Sequence, residues 1–198
     1  MTMERRALVR PLDVREQDEH RTVAGYAAVF GAAADMAGQF REIVAPGAFR
    51  DTISGDVRAL IDHDSGRVIG RTTAGTLRLT EDDVGLAVEI DLPDTQDGRD
   101  LATLIARGDI SGMSFGFIVT RQEWDETGDI PTRTILAVDL REVSAVAFPA
   151  YDDTSIALRS LESARREKRR HNFRAAANRV LARKVSIDLR TRRLVSKA

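Results

Sequence analysis

Residues 136–146 read LAVDLREVSAV, and every second side chain from Leu136 onward is apolar, with two exceptions. Successive side chains of a β-strand point to opposite faces, so the alternation predicts a strand with one buried face. That face is apolar except for Glu142 and Ser144. A carboxylate on an apolar face is costly unless it is paired or hydrogen-bonded. We therefore expect Glu142 to bond an imidazole N–H or a buried arginine, or to lie at the rim of a barrel.

A second candidate strand, residues 112–117, reads GMSFGF and contains Ser114. Gly112 and Gly116 share the face of Ser114, whereas large apolar side chains occupy the opposite face and are expected in the core. The small neighbours predict open space around the hydroxyl, through which a substrate backbone could approach. The same glycines are equally typical of a barrel strand that curves tightly.

The chain has no cysteine and three histidines, His20, His63 and His171. Disulfides, a thiol nucleophile and a thiolate zinc site are therefore excluded, and no histidine pair has metal-ligand spacing, so no metal or cofactor is expected. An imidazole is the usual general base near neutral pH, and His63 ends an apolar strand. A single histidine in such a place is more often a surface or packing residue. The polar settings of His20 and His171 predict solvated side chains.

The rest of the chain predicts many short strands and few helices. A helix is expected to begin near Pro46, and another to be capped by Asp94 or Thr95, to run to about Arg107 and to stop at Gly108. The predicted strands cover residues 5–14, 21–30, 57–63, 76–80, 86–92, 113–120 and 134–148. This order predicts an α+β domain built on a curled antiparallel sheet or closed barrel, and argues against a doubly wound sheet.

Charge is distributed unevenly along the 198 residues, although the net charge is only −1. Residues 161–198 contain 13 Lys and Arg against 3 Asp and Glu, whereas residues 1–160 contain 17 against 28. This predicts an acidic folded domain, residues 1–160, followed by a basic tail, residues 161–198, that is helical or partly disordered. The negative charge of the folded domain argues against nucleic-acid binding by that domain. The tail has a single aromatic residue, Phe173, and so offers little for stacking on bases.

No apolar stretch approaches the ~20 residues of a membrane span. The N-terminus also lacks the apolar core of a signal peptide. We therefore expect a protein without a membrane partner that stays in the cytosol of the cell that makes it.

Nine short motifs follow one another between about residues 5 and 160. Each is a weak family signal by itself, whereas the set is specific. They are GYAAVF (25–30), IVAPGAF (43–49), DHD (62–64), IGRT (69–72), GTL (75–77), LPDT (92–95), GMSFGF (112–117), EVS (142–144) and PAY (149–151). In this combination the chain resembles the prohead maturation serine proteases of tailed phages.

The resemblance implies a fold like that of the herpesvirus assembly proteases, a closed barrel-like sheet ringed by helices. It also implies a serine endopeptidase with His63 as base, Ser114 as nucleophile and Glu142 as the group that orients the base. An oxyanion hole is then expected in the loop after Glu142. Since Pro149 has no N–H, the backbone N–H of Ala150 or Tyr151 is the candidate donor.

The resemblance further implies the substrate and the place of action. The substrate would be the scaffolding segment of the major capsid protein, together with the protease itself, inside the procapsid in the bacterial host cytoplasm. The basic tail would address the enzyme to an acidic scaffold segment or be cut off. An inactive capsid-assembly or scaffolding protein of the same fold remains an alternative. A hydrolase of small esters is another, against which the absence of a G-x-S-x-G elbow argues.

Overall fold

The computed structural model describes residues 3–17, 20–148, 161–163, 165–167, 169–170, 173–174 and 178–179. The chain divides into two compact units, Met1–Thr154 and Ser155–Ala198. The described residues of the second unit are helical, and most of the tail predicted from the charge distribution lies outside the described residues. Within the described ranges, no helix is long and apolar enough to cross a membrane.

Strands make up most of the first unit. In chain order they are β1 (Glu4–Val9), β2 (Asp13–Gln17), β3 (His20–Val29), β4 (Ala34–Asp35), β5 (Arg41–Val44), β6 (Arg58–Ile61), β7 (Asp64–Arg71), β8 (Leu77–Glu81), β9 (Gly85–Asp91), β10 (Gly112–Asp125) and β11 (Thr132–Val146). One α-helix, α1 (Gln96–Arg107), and a 3₁₀ turn, Thr72–Ala74, lie between them.

The strands form two sheets instead of the predicted closed barrel. The larger sheet has the order β1-β10-β11-β5-β4, with β6 also paired to β11 and β7 paired to β6, and the smaller sheet has the order β2-β3-β9-β8. The smaller sheet is antiparallel throughout, as predicted, whereas β5 and β6 run parallel to β11, so the larger sheet is mixed. The physical reason is the length of β11, whose 15 residues pair with two short strands in succession along one edge. The sheet branches there instead of closing on itself.

The predicted ring of helices is wrong for the described part of the first unit, which contains α1 alone. This helix has the predicted bounds, because the Thr95 side chain accepts a hydrogen bond from Gly98 N–H at one end and Gly108 adopts a left-handed φ of 83° at the other. The helix predicted at Pro46 is replaced by a series of turns. Gly47 has a φ of 89°, far from the α-helical value, and the N–H groups of Gly47 and Phe49 donate to the carboxylate of Glu81.

The first predicted strand, residues 5–14, is in fact two strands in different sheets. Pro11 lies between β1 and β2 and has no N–H to donate to a strand ladder, so the chain leaves one sheet and enters the other there. Strands β1 and β10 of the larger sheet contact β3 of the smaller one. Buried aromatic side chains fill this part of the core, with Phe49 edge-on to Phe115 and Phe117 stacked on Phe115.

Four charged side chains are buried together across β1, β5 and β11, namely Glu4, Arg6, Glu42 and Arg133, and we call them the buried charge cluster. Arg133 donates from Nη1 to Oε2 of both glutamates at 2.8 Å, and Arg6 donates to Glu42 at 2.6 Å and to Glu4 at 2.7 Å. Burial by itself raises the pKa of Glu4, but the hydrogen bonds and charges of Arg133 and Arg6 outweigh it and hold that pKa below its ordinary value. The cluster fixes β1 at the edge of the larger sheet.

Candidate active site

The pairing of β10 with β11 places three polar side chains on one face of the larger sheet. Ser114 lies directly opposite Ser144, and Gly116 lies directly opposite Glu142. Residues that face each other across neighbouring strands point to the same side, so Ser114, Ser144 and Glu142 share a face. On the other edge of β11, β6 runs parallel and ends at Ile61, next to Ala145. The sheet thereby brings the residues that follow β6 to the same place.

His63 lies in the two-residue turn that joins β6 to β7. Asp62 and His63 have φ values of 47° and 60°, the left-handed backbone that a type I′ hairpin turn requires at both positions. This conformation is uncommon for residues other than glycine and costs about 1–2 kcal/mol per residue. Two hydrogen bonds to β11 hold the turn, from Asp62 N–H to the Ala145 carbonyl at 3.0 Å and from His63 N–H to Ser144 Oγ at 3.2 Å.

The carboxylate of Glu142 connects the imidazole to β11. Its Oε1 lies 2.6 Å from Nδ1 of His63, and its Oε2 accepts a hydrogen bond of 2.6 Å from the Ser144 hydroxyl. Glu142 is 4% exposed, and the exposed guanidinium of Arg5 has its Nε 3.9 Å from Oε1. Each carboxylate oxygen therefore has a hydrogen-bonding partner, as a carboxylate on an apolar face requires. With Nδ1 bonded to the carboxylate, Nε2 of the imidazole is available to other groups.

The hydroxyl of Ser114 is turned toward β1 in this structure. It donates to the Arg6 carbonyl at 2.9 Å, and Ser114 is 1% exposed. Among the described residues, its hydrogen bond goes to that carbonyl and not to His63. The structure therefore brings His63 and Glu142 into direct contact, and it places Ser114 on the neighbouring strand of the same face.

The space above Gly116 is filled by the protein itself, contrary to the interpretation that the small residues of β10 leave it open. A Cβ at Gly116 would lie 2.3 Å from Oε1 of Glu142, and 2.4 Å from Cε of Met3. A larger residue would occupy the place of the carboxylate. Glycine at this position is thus explained by the packing of Glu142 over the backbone of β10.

Sequence reasoning did not assign a role to Ser144, which the structure places at the centre of the site. Its side chain is fully buried and contacts both the Glu142 carboxylate and the His63 backbone. A signal was present in the sequence, because Ser144 shares the face of Glu142 and interrupts the same apolar alternation.

Other residues singled out by sequence lie elsewhere. His20 begins β3 in the smaller sheet. Ala150 and Tyr151, the expected oxyanion donors, and His171 lie outside the described residues. Within the described ranges, no group of three or more His, Cys, Asp or Glu side chains is arranged to hold a metal ion.

Comparisons with known proteins relate the chain to phage assembly enzymes. The family described as caudovirus prohead serine protease matches residues 10–169. The prohead protease of Enterobacteria phage HK97 is 33% identical over 140 residues, which are 67% of this chain and 57% of that protein, so the match spans little more than half the length of this relative. The solved structure of the bacteriophage T4 capsid assembly protease, gp21, covers 74% of this chain and 98% of that one, with a TM-score of 0.52 and 12% identity. At this identity the structural likeness shows the fold alone.

Proposed function

This chain belongs to the caudovirus prohead serine protease family, and we propose that it is a serine endopeptidase of procapsid maturation with Ser114 as nucleophile, His63 as base and Glu142 as the orienting carboxylate. The observation on which the assignment of residues depends is the 2.6 Å contact between His63 Nδ1 and Glu142 Oε1, on the face that also holds Ser114. A carboxylate that fixes an imidazole beside a serine is the arrangement from which acyl transfer proceeds.

Each side chain has a distinct part in the proposed mechanism. Glu142 accepts the hydrogen bond from Nδ1–H and so leaves Nε2 of His63 unprotonated and able to receive a proton. Ser114 Oγ attacks the scissile carbonyl carbon while Nε2 takes its proton, and the imidazolium then protonates the leaving amine. The acyl-enzyme at Ser114 is hydrolysed by water, which His63 activates in the same way.

The hydroxyl of Ser114 must change its hydrogen-bond partner before this reaction. The proposal requires Oγ to leave the Arg6 carbonyl and approach the imidazole, and rotation about χ1 to another staggered position is the movement that releases it. Hydrogen bonds between catalytic groups are often absent or long before substrate binds, so the observed rotamer is compatible with the proposal. The backbone N–H of Ala150 or Tyr151 is the proposed oxyanion donor.

We propose the scaffolding segment of the major capsid protein as substrate, together with the protease itself, cleaved inside the procapsid in the host cytoplasm. The described arginines of the second unit, which include Arg166, Arg169, Arg170 and Arg174, are exposed on helical residues. Exposed positive charge of this kind is suited to an acidic scaffold segment, and such docking weakens as salt rises.

An inactive capsid-assembly protein of the same fold is the second candidate. The observation that favours it is the position of Ser114, which is 1% exposed and bonded to the backbone of β1. The two candidates differ in one measurable property, because only the protease forms an acyl-enzyme at Ser114.

The test is to co-express the chain with the major capsid protein encoded beside it, and to map new N-termini in both proteins. Ser114→Ala should abolish cleavage or reduce turnover by roughly 10⁴–10⁶-fold. Ser111→Ala is the matched control, since Ser111 is exposed and lies just before β10. Cleavage by the Ser114→Ala protein at the wild-type rate would exclude Ser114 as the nucleophile. Absence of cleavage by the wild-type protein would favour the inactive candidate.

A further inference from the structure

A second buried serine, Ser144, makes two hydrogen bonds within the site, and the proposed mechanism uses neither of them. The Ser144 hydroxyl donates to Oε2 of Glu142 at 2.6 Å and accepts from the backbone N–H of His63 at 3.2 Å, and Ser144 is 0% exposed. A hydroxyl has one hydrogen to donate and lone pairs to accept, so both bonds can form at once. The same oxygen therefore contacts both the carboxylate and the backbone of the base.

We propose that Ser144 is a positioning residue of the active site, whose hydroxyl fixes the Glu142 carboxylate and the His63 turn in the geometry that proton transfer from Ser114 requires. This inference rests on the proposed function and adds a fourth side chain to it. Ser144 acts through Glu142 and His63 and does not itself contact the reacting atoms.

The Ser144 hydroxyl restricts the rotation of the Glu142 carboxylate. Glu142 is almost completely buried, and its oxygens are bonded to different partners, His63 and Ser144. If the imidazole were the only hydrogen-bonding partner of the carboxylate, the Glu142 carboxylate could still rotate about its last torsion, because that torsion has a broad energy minimum. The bond from Ser144 to the second oxygen removes this freedom and directs the first oxygen at Nδ1.

The same hydroxyl stabilises the backbone of the base. His63 has a φ of 60°, in a turn whose two left-handed residues are strained. Such a conformation persists when its surroundings hold it, and Ser144 Oγ accepts from the N–H of His63 itself. The hydroxyl thus holds the imidazole through its backbone and through its carboxylate partner.

The hydrogen bonds also argue against Ser144 as an alternative nucleophile. Its hydrogen is donated to Glu142, and the ring of His63 is bonded to Glu142, not to Ser144. Ser114, by contrast, donates to a backbone carbonyl from which a rotation can release it.

The experiment compares Ser144→Ala and Ser144→Cys with wild type. Cysteine keeps the shape of the serine side chain, but its thiol is somewhat larger and is a weak donor. The control is Thr52→Ala, since Thr52 Oγ1 accepts a 2.9 Å bond from Leu140 N–H on the same strand, β11, and it makes no hydrogen bond to His63 or Glu142. Each protein is assayed with a quenched-fluorescence peptide that spans the cleavage site mapped for the wild-type enzyme, and the Nδ1–H resonance of His63 is followed by NMR, with His63→Ala used to assign it.

Both Ser144 variants should lower kcat by roughly 10–100-fold with KM unchanged, because a displacement of catalytic groups by about 1 Å has an effect of this size. They should also shift or lose the downfield Nδ1–H resonance, whereas Thr52→Ala should keep kcat within about twofold and retain the resonance. A folded Ser144 variant with wild-type kcat and an unchanged resonance would overturn the proposal. An equal loss of activity in Thr52→Ala would also overturn the proposal.

If the alanine variant fails to fold, the cysteine variant decides by the same two measurements. If neither folds, Ser144 has a structural role and the proposal is wrong. The Ser114→Ala protein separates this inference from the function on which it rests. A wild-type protein no more active than Ser114→Ala refutes the protease assignment, whereas an inactive Ser114→Ala beside a fully active Ser144→Ala refutes only the positioning role.

Discussion

Replacing Gly116 by alanine should disable the site without replacing any of its functional side chains. The added Cβ would lie 2.3 Å from Oε1 of Glu142 and 2.9 Å from its Cδ. It would also lie 2.4 Å from Cε of Met3, but that atom ends a flexible side chain and moves easily. The Glu142 carboxylate is held by His63 and Ser144, so its displacement breaks hydrogen bonds.

The expected loss follows from these distances. Ordinary contact begins near 3.4 Å, so the carboxylate must move by about 1 Å. A hydrogen bond of 2.6 Å to His63 Nδ1 would then lengthen toward about 3.6 Å, beyond hydrogen-bonding range. A 1 Å misplacement costs roughly 10²-fold in rate. Complete loss of the correct imidazole tautomer costs about 10⁴-fold in a well-studied serine protease. We therefore expect kcat/KM to fall by roughly 10²–10⁴-fold.

A buried carboxylate that loses its donors also destabilises the fold, by about 1–3 kcal/mol. For a unit of this size, that lowers Tm by roughly 2–12 °C, so the protein should remain folded at the assay temperature. Gly128→Ala is the control, because the nearest atom to its added Cβ is the Ile130 carbonyl oxygen at 3.7 Å. If Gly116→Ala retains wild-type kcat/KM and the His63 Nδ1–H resonance, the role assigned to Glu142 is refuted.

Two further predictions concern charge. The pKa of Glu4 in the folded protein lies below its ordinary value of 4.5, so its contribution to stability is complete above about pH 4.5 and is lost as the pH falls through the folded value. The free energy of unfolding from urea titrations should therefore decrease below pH 4.5 in wild type and vary less in Glu4→Gln; equal slopes would contradict this. Glutamine at Arg169, Arg170 and Arg174 should reduce the amount of the protein inside procapsids, measured by immunoblot, whereas lysine at the same positions should not. Equal packaging of the two triple variants would exclude a charge-dependent role for the tail.

Much of the local structure was predictable because it depends on neighbours in the chain. The hairpin of β8 and β9 follows from alternation on both sides of a polar turn, and the bounds of α1 follow from Thr95 and Gly108. The helix expected at Pro46 does not form, and the cause cannot be recognised from the neighbouring sequence. Gly47 has a left-handed φ of 89°, and Glu81, 34 residues away, accepts the N–H groups of Gly47 and Phe49 in this turn conformation.

Part of the candidate site was also predictable from the sequence. Because a buried carboxylate needs a hydrogen-bonding partner, Glu142 was recognised as a candidate site residue. The composition limited a histidine base to three positions. The interpretation that Gly116 leaves open space was wrong, because the sequence shows that a side chain is missing there and does not show which other group fills the space.

The sequence by itself determined the types and approximate bounds of most strands, the caps of α1 and the membership of a protease family. Tertiary structure alone decided that β11 pairs with both β5 and β6, that His63 sits in a left-handed turn, and that Ser144 bonds to both Glu142 and the His63 backbone. The physical reason is the distance along the chain over which each feature is fixed. Alternation and capping are set within a few residues, whereas the contact of His63 with Glu142 joins residues 79 positions apart and forms only when the sheet has assembled.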